Sequence, residues 1–364
     1  MTRVLHMIGS LNIGGSQAMI MNLYRNIDRE QIQFDFILDH PEQLYFAEEV
    51  KALGGKIYFV PEFVGTNLPG VRKAWHQFFK EHPEYKILHS HVRSYASVYL
   101  PIAKKHGLKT IIHSHSTSNG SGIASVAKKI LQYPLRFQAD YFMGCSEESG
   151  RWLFGEKIVN SDKYYLLKNA IDANAFRYNP EKRIECRKLL GIGDEKVFVH
   201  VGRFHPAKNH MFLLDVYSEI HRRNQKTILM LVGDGDLKEA IQTKIQELHL
   251  TDSVMMLGNR NDVPELLQVA DCFLFPSLYE GLGIVAIEAQ AAGLPCICSE
   301  SVPRLVNVSD DCYFVPFDVT QWVEVSANTR TTRMDMYQKI AEQGFDVKES
   351  AKWLMNFYQE IWEK

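Results

Sequence analysis

Short apolar runs alternate with amphipathic stretches along this chain. Residues 4–8, 34–38 and 56–60 are too short for helices and rich in branched and aromatic side chains, so each reads as a buried strand. Met19, Ile20, Leu23 and Ile27 fall on one face of a helix after the first run, and further helical segments lie near 45–53 and 70–82. Strands follow at 87–91, 111–115, 141–145 and 164–167, then at 197–201, 227–232, 254–257, 272–275 and 294–298. Strands that alternate with helices predict doubly wound parallel α/β sheets. The polar stretch 177–187 interrupts the alternation, which places a boundary near 172 between domains of 1–172 and 173–345. The chain closes on an amphipathic helix at 348–362, with Ala351, Leu354, Met355, Tyr358 and Trp362 on its apolar side.

Two stretches break the local pattern. After the run Cys272–Phe275 the sequence reads Pro-Ser-Leu-Tyr-Glu-Gly-Leu-Gly-Ile-Val-Ala-Ile-Glu-Ala-Gln-Ala-Ala-Gly-Leu-Pro. Gly281 and Gly283 open a helix that Gly293 closes. A glycine-loosened helix start beyond a parallel strand is a place where anions bind. Glu280 alone reads as an acid complementing the helix dipole. Glu288 is different, because Ile284, Val285, Ala286, Ile287, Ala289, Ala291 and Ala292 make its helix apolar on most sides, and a carboxylate there needs donors. The second stretch is Gly202-Arg203-Phe-His-Pro-Ala-Lys208-Asn209 at the start of a helix, with no acid between Glu195 and Asp215. Cations at a helix start oppose its dipole. Arg203 and Lys208 are either exposed and solvated or held there by an anion, for which a diphosphate is the natural candidate.

The first strand leads into Gly14-Gly15-Ser16, which is neither a P-loop nor a dinucleotide fingerprint and reads by itself as a turn with Ser16 as helix cap. His89, His91, His113 and His115 end two strands at i, i+2 spacing. They invite a metal reading, but residues 85–139 contain no Asp, Glu or Cys. Hydrogen-bonded strand-end histidines are the plainer account of His89 and His113.

Composition adds bounds. With 364 residues, 46% apolar and 23% charged, the chain has room for two soluble domains. Its net charge of −2 conceals a split: residues 1–172 carry 20 Lys+Arg against 16 Asp+Glu, and the remainder 21 against 27. The acid-free window 85–139 holds eight cations, among them Arg93, Lys128, Lys129 and Arg136, and Lys128, Lys129, Tyr133, Arg136 and Phe137 are expected on one helix. A run of this kind is either a solvated face or meets an anion. The six cysteines form no Cys-x-x-Cys pair and read as free thiols of a reducing compartment. No stretch approaches the roughly 18 apolar residues of a membrane span, and residues 3–9 are too short for a signal peptide. The expectation is a cytoplasmic protein.

Pro-Ser-x-x-Glu-Gly-x-Gly followed by Glu-Ala-x-Ala-x-Gly-x-Pro resembles the donor-binding signature of GT-B retaining glycosyltransferases of family 4, within it the bacterial exopolysaccharide and capsule enzymes. Gly-Arg-x-x-x-x-Lys-Asn and Lys168-Asn169-Ala170-Ile171-Asp172 resemble the family as well, and the likeness runs along essentially the whole chain. The resemblance implies two Rossmann-like domains facing a central cleft, with the last helix (346–364) crossing back onto the first domain. It implies transfer of a sugar, as a hexosyltransferase, from a nucleoside diphosphate (a UDP-sugar favoured) to a growing, lipid-diphosphate-linked saccharide. The implied donor site is Gly14, Gly15, Arg203, Lys208, Asn259, Arg260, Glu280, Gly281, Leu282, Gly283, Ile284 and Glu288. Arg203 and Lys208 would hold the diphosphate, Glu280 the sugar hydroxyls and Glu288 the ribose. His115 matches the position beside the reacting carbon, and with Arg203, Lys208 and Glu280 it makes up the catalytic set. His91, Arg93, Lys128 and Lys129 would face the acceptor. No metal, other cofactor or nucleic acid is expected. The acceptor and the basic window together suggest a peripheral protein on an anionic inner membrane face. Where many relatives have a glycine pair and a glutamate, this chain has Ser299–Pro303, which removes a guide to the donor sugar. A GT-B sugar-nucleotide epimerase would need carboxylates from both domains, against the acid-poor window. A non-catalytic nucleotide-sugar-binding regulator would keep the anion site without transfer.

Overall fold

The computed structural model describes residues 1–12, 14–42, 44–115 and 129–363. It divides into two compact units, Met1–Ala170 with Val347–Lys364, and Ile171–Asp346. The division has a local cause. The Ile171 N–H donates to the Phe345 carbonyl at 2.9 Å and Ile171 bridges to Asp346, so the chain enters and leaves the second unit through one pair of neighbouring segments.

The first unit is a seven-stranded sheet of β1 (Thr2–Met7), β2 (Ile32–Leu38), β3 (Ile57–Phe59), β4 (Ile87–Ser90), β5 (Lys109–Ser114), β6 (Tyr141–Gly144) and β7 (Tyr164–Leu166). Their order is β3-β2-β1-β4-β5-β6-β7 and every pairing is parallel. Helices cover both faces, as fully apolar strands require. Helix Gly15–Asn26 and the terminal helix Val347–Glu363 pack Ile20, Leu23, Leu354 and Tyr358 on one face, while Trp75, Phe79 and Tyr99 fill the other. β2 is buried at all seven positions although it contains Gln33 and Asp35. Asp35 is tolerated because Arg3 bonds both its oxygens, with Tyr85 Oη at 2.7 Å and the Lys56 amide at 2.7 Å.

The second unit repeats the design with β8 (Lys196–Val201), β9 (Thr227–Val232), β10 (Val254–Gly258), β11 (Cys272–Phe275), β12 (Cys296–Ser299) and β13 (Cys312–Val315). The order is β10-β9-β8-β11-β12-β13, again all parallel. All six cysteines are free thiols. In each sheet the strand order reverses beside its first strand, between β1 and β4 and between β8 and β11. The carboxyl ends of strands at such a reversal are where open α/β sheets bind ligands.

The structure departs from the sequence reading in three places. The strand expected at 294–298 begins at Cys296: Gly293 turns left-handed (φ +71°), the Leu294 N–H returns to Ala289, and Pro295 has no N–H to pair. Cys312–Val315 was not anticipated as a strand. Lys129 to Phe137 do not form one helix, because a turn at 133–134 precedes the short helix Leu135–Gln138. Lys128 lies outside the described residues.

Burial leaves an acid-sensitive signature. His6 and His115 are pushed down to about 3 and His210 to about 4, while His89, His91, His113 and His200 lie well below the usual imidazole range; desolvation is the main cause for each. These rings are neutral when folded and protonate near ~6.5 when unfolded. Their contribution is therefore complete above pH 6.5 and is lost as pH falls towards 3. Thermal denaturation followed by circular dichroism should show the melting temperature dropping steeply between pH 6.5 and 5. A flat profile over that range would overturn the neutral assignment.

Candidate active site

The reversal between β8 and β11 brings the two unusual stretches of the second unit together. β8 ends at Val201 and delivers Gly202, Arg203 and the turn Pro206–Lys208; β11 ends at Phe275 and delivers residues 276–283. The Leu278 N–H donates to the Ala207 carbonyl at 2.8 Å and fixes one loop against the other. Lys208 Nζ then donates to Glu280 Oε1 and lies 5.1 Å from the Phe275 ring centre. With side-chain exposures of 20% and 12%, this ion pair is largely removed from solvent. Arg203 is exposed, and no carboxylate pairs with it among the described residues. It lies against the loop after β9, where Gly233 (φ +141°) has to be glycine because a Cβ would strike the Gly202 carbonyl.

The glycines of the β11 loop differ in kind. Gly283 caps helix Ile284–Ala291 in a left-handed conformation, and a Cβ there would sit 3.0 Å from Phe275. A Cβ on the exposed Gly281 would meet no described atom within 4 Å. The fold demands the first and not the second. Gly15, which opens helix Gly15–Asn26, resembles Gly281 and has no described neighbour within 4 Å of a Cβ; Gly14 before it is extended (φ −172°), but a Cβ there would sit 2.6 Å from Gln17 Oε1. No side chain caps that helix, so Ser16 is not its cap.

Two polar residues share the apolar helix Ile284–Ala291, and their environments are opposite. Gln290 is fully engaged: its amide donates to Ala286 and Val306 carbonyls, and its Oε1 accepts from Val308, Ser309 N and Ser309 Oγ. Glu288 is half-buried and its carboxylate has no hydrogen bond or ion pair among the described residues. Desolvation pushes its carboxyl up to about 7.

The remaining expected residues are spread more widely. Leu282 and Ile284 are half-buried beside Gly283. Asn259 and Arg260 are exposed after β10, where Arg260 is committed to Asp262 through Nε–Oδ1 at 2.7 Å and a second bond at 2.5 Å. On the loop after β9, Asp234 binds Lys238 and the Gly235 amide. In the first unit, His91 and His115 follow β4 and β5 and touch each other, with ring nitrogens 2.8 Å apart. Arg93 is half-buried, 5.1 Å from the Trp152 ring centre. Lys129 is exposed. Sequence reasoning passed over His6, whose Nδ1 lies 3.1 Å from His91 Nε2. Nothing in the sequence marks it: only the β1–β4 pairing places His6 level with His89.

Residues 13–175 match the model of Glycosyltransferase Family 4, and residues 182–321 match Glycosyl transferases group 1. EpsF of Bacillus subtilis (strain 168), a protein assigned as a glycosyltransferase, is 32% identical over 100% of this chain and 97% of its own length. The chain belongs to glycosyltransferase family 4. An Escherichia coli UDP-Gal:α-D-GlcNAc-diphosphoundecaprenol α-1,3-galactosyltransferase is 34% identical over 40% of this chain and 38% of its own. HepE of Anabaena, solved in complex with UDP, superposes with a TM-score of 0.79 at 17% identity, covering 99% of this chain and 100% of that one. The two parallel-sheet units are thus those of a GT-B glycosyltransferase.

For this glycosyltransferase, the partnerless Glu288 carries a measurable cost. Its carboxyl titrates near 7 folded and ~4.5 unfolded, so stability of the ligand-free enzyme is lost as pH rises through that interval. Glu288→Gln should raise the unfolding free energy at pH 8 by about 1–3 kcal/mol, with a smaller gain at pH 5.5. Urea titration of both proteins checks this. A variant less stable at pH 8 would mean that the carboxylate is paired after all.

Proposed function

We propose that this glycosyltransferase takes its sugar from a nucleoside diphosphate in the second unit and delivers it, with retention at the anomeric carbon, to a saccharide carried on a lipid diphosphate. The observation that carries the reading is the meeting of Arg203, Lys208 and Glu280 at the β8–β11 reversal, with Glu288 left without a partner on the adjoining helix. Cleavage of the sugar–phosphate bond builds negative charge on the leaving diphosphate. Arg203 and Lys208, delivered by the loop after β8, stabilise that charge as protein cations. The diphosphate draws Lys208 towards itself and frees Glu280 to accept sugar hydroxyls. Glu288 accepts the ribose hydroxyls, and these donors supply the hydrogen bonds its carboxylate lacks. Gly281 and Gly15, where a Cβ would meet no described atom, leave room for the ligand to approach, and Gly14 faces its distal phosphate with Gly15. Leu282, Gly283 and Ile284 extend that surface, and Asn259 and the Arg260 backbone lie under the base. The leaving phosphate takes the acceptor proton, so no side-chain base is assigned.

UDP is the favoured nucleotide, as in the HepE complex, and a diphosphoundecaprenol-linked acceptor is favoured by the E. coli relative. Growth of an exopolysaccharide or capsule chain is the corresponding process. His115 stands beside the reacting carbon, with His91, Arg93 and Lys129 towards the acceptor. The fixed cations replace a divalent metal. Among the described residues no helix is long and apolar enough to cross a membrane. Docking on the cytoplasmic leaflet instead uses Lys129 with the exposed Ile130, Tyr133 and Phe137.

Two measurements test the chemistry and one the location. Arg203→Ala or Lys208→Ala should each lower kcat by roughly 10²–10³ while the fold is kept; unchanged turnover in both would remove the diphosphate assignment. Activity with UDP-sugars should survive excess EDTA, and loss restored by Mg²⁺ or Mn²⁺ would contradict the metal-free site. Sedimentation should show binding to vesicles that rises with anionic lipid and weakens with salt. It should drop in a Lys129→Glu/Phe137→Ser variant; indifference to anionic vesicles at low salt would point to a soluble acceptor.

A further inference from the structure

At the reversal of the first sheet, three imidazoles are joined end to end. His6 Nδ1 lies 3.1 Å from His91 Nε2, and His91 Nδ1 lies 2.8 Å from His115 Nε2. His91 therefore uses both ring nitrogens inside the string. The outer nitrogens, His6 Nε2 and His115 Nδ1, are buried and have no partner among the described residues. The rings suit such a bond: His6 and His91 are near-parallel at 9° with centroids 5.4 Å apart, and the Phe34 ring packs 4.2 Å from His6.

A neutral imidazole carries one N–H and one lone pair, and each contact in the string accommodates one proton. Only two arrangements satisfy both contacts. Either every ring is protonated at Nε2, so that His115 donates to His91 and His91 to His6, or every ring is protonated at Nδ1 and the string runs the other way. The three tautomers are thus one variable. In the first arrangement His115 Nδ1 presents a lone pair, and in the second it presents an N–H. Free histidine favours the Nε2–H form, and the string adds that preference three times. We propose that His6 and His91 are positioning residues that fix His115 Nδ1 as a hydrogen-bond acceptor. This rests on the assignment of His115 to the reacting centre.

A metal ion is the other use of clustered imidazoles. Ligand atoms of His6, His89 and His91 lie within 4.8 Å of one another, as do those of His91, His113 and His115. Both groups need His91, whose two nitrogens are already occupied by its neighbours. The charged groups that shift these rings are other histidines and Arg93, so a divalent ion would be buried without a carboxylate. The hydrogen-bonded string is the better account.

The test is ring ¹⁵N spectroscopy of the full-length, donor-free protein labelled in histidine. His6, His91 and His115 should all show Nε2 protonated and Nδ1 unprotonated. In His6→Phe, which keeps an aromatic ring against Phe34 but removes the acceptor, the two ¹⁵N shifts of His115 should move towards a common value. His6→Asn, which returns an acceptor near the Nδ1 position, should separate them again. Protonation of any of the three rings at Nδ1 in the wild type overturns the proposal, as does an unchanged His115 pattern in His6→Phe. Should His6→Phe fail to fold, the wild-type spectrum decides by itself. The measurement needs no sugar donor, so its failure is separable from that of the His115 assignment, which would show as full transfer activity in His115→Ala.

Discussion

Two loops far apart in sequence meet because β8 pairs directly with β11, and the rest of the second unit's chemistry depends on that adjacency. Each loop alone carries an electrostatic fault. Lys208 sits where a helix dipole disfavours a cation, and Glu280 is a carboxylate shielded from most of the solvent. Placed together by the Leu278–Ala207 hydrogen bond, each relieves the other. In the proposed complex a diphosphate would compete for Lys208, because it offers more charge than one carboxylate does. Burial restrains the two side chains in advance, so little ordering is left for the ligand to impose.

Polar residues in apolar surroundings fall into two groups here. Asp35 and Gln290 have every oxygen engaged by Arg3, Tyr85, Val308 or Ser309, and these bonds hold core elements together. Glu288, His6 and His115 keep an unpaired atom. These three stand at the two sheet reversals, and stability withheld there from the free protein is available on binding.

The alternation of apolar runs and amphipathic stretches made both sheets legible before any coordinates, and Cys272–Phe275 and Thr227–Val232 appear with the same limits in the structure. In two of the places where the structure differs, a single proline is responsible. Pro295 lacks the N–H that would have begun β12 two residues earlier, and Pro134 lies in the turn that separates Lys129 from Phe137. The sequence marked Glu288 as out of place on its helix. It marked Gln290 no differently, although five hydrogen bonds make that residue structural, because partnership comes from residues 306–309 and is set by packing. His6 was missed for a related reason: a lone histidine in an apolar strand gains meaning only when the β1–β4 register brings it beside His89 and His91.

The acid-free window looked from sequence like a reservoir of uncompensated charge, and packing changes that picture. Lys104 pairs with Asp140 at 2.7 Å, an acid just beyond the window. Arg93 lies half-buried over Trp152, and Arg136 is 4.6 Å from the Tyr133 ring while donating to the Leu153 carbonyl. Three of the cations therefore serve the first unit itself. Near Lys129 the surface is marked instead by exposed Ile130, Tyr133 and Phe137, at 69%, 59% and 73%. A surface of that composition meets an interface through apolar and aromatic area, with one or two cations setting the preference for anionic partners. Attraction by charge alone would decay over about 10 Å at 0.1 M salt. Apolar area does not decay in this way, so the proposed docking on a bilayer at physiological salt would rest on these three side chains more than on the charge count.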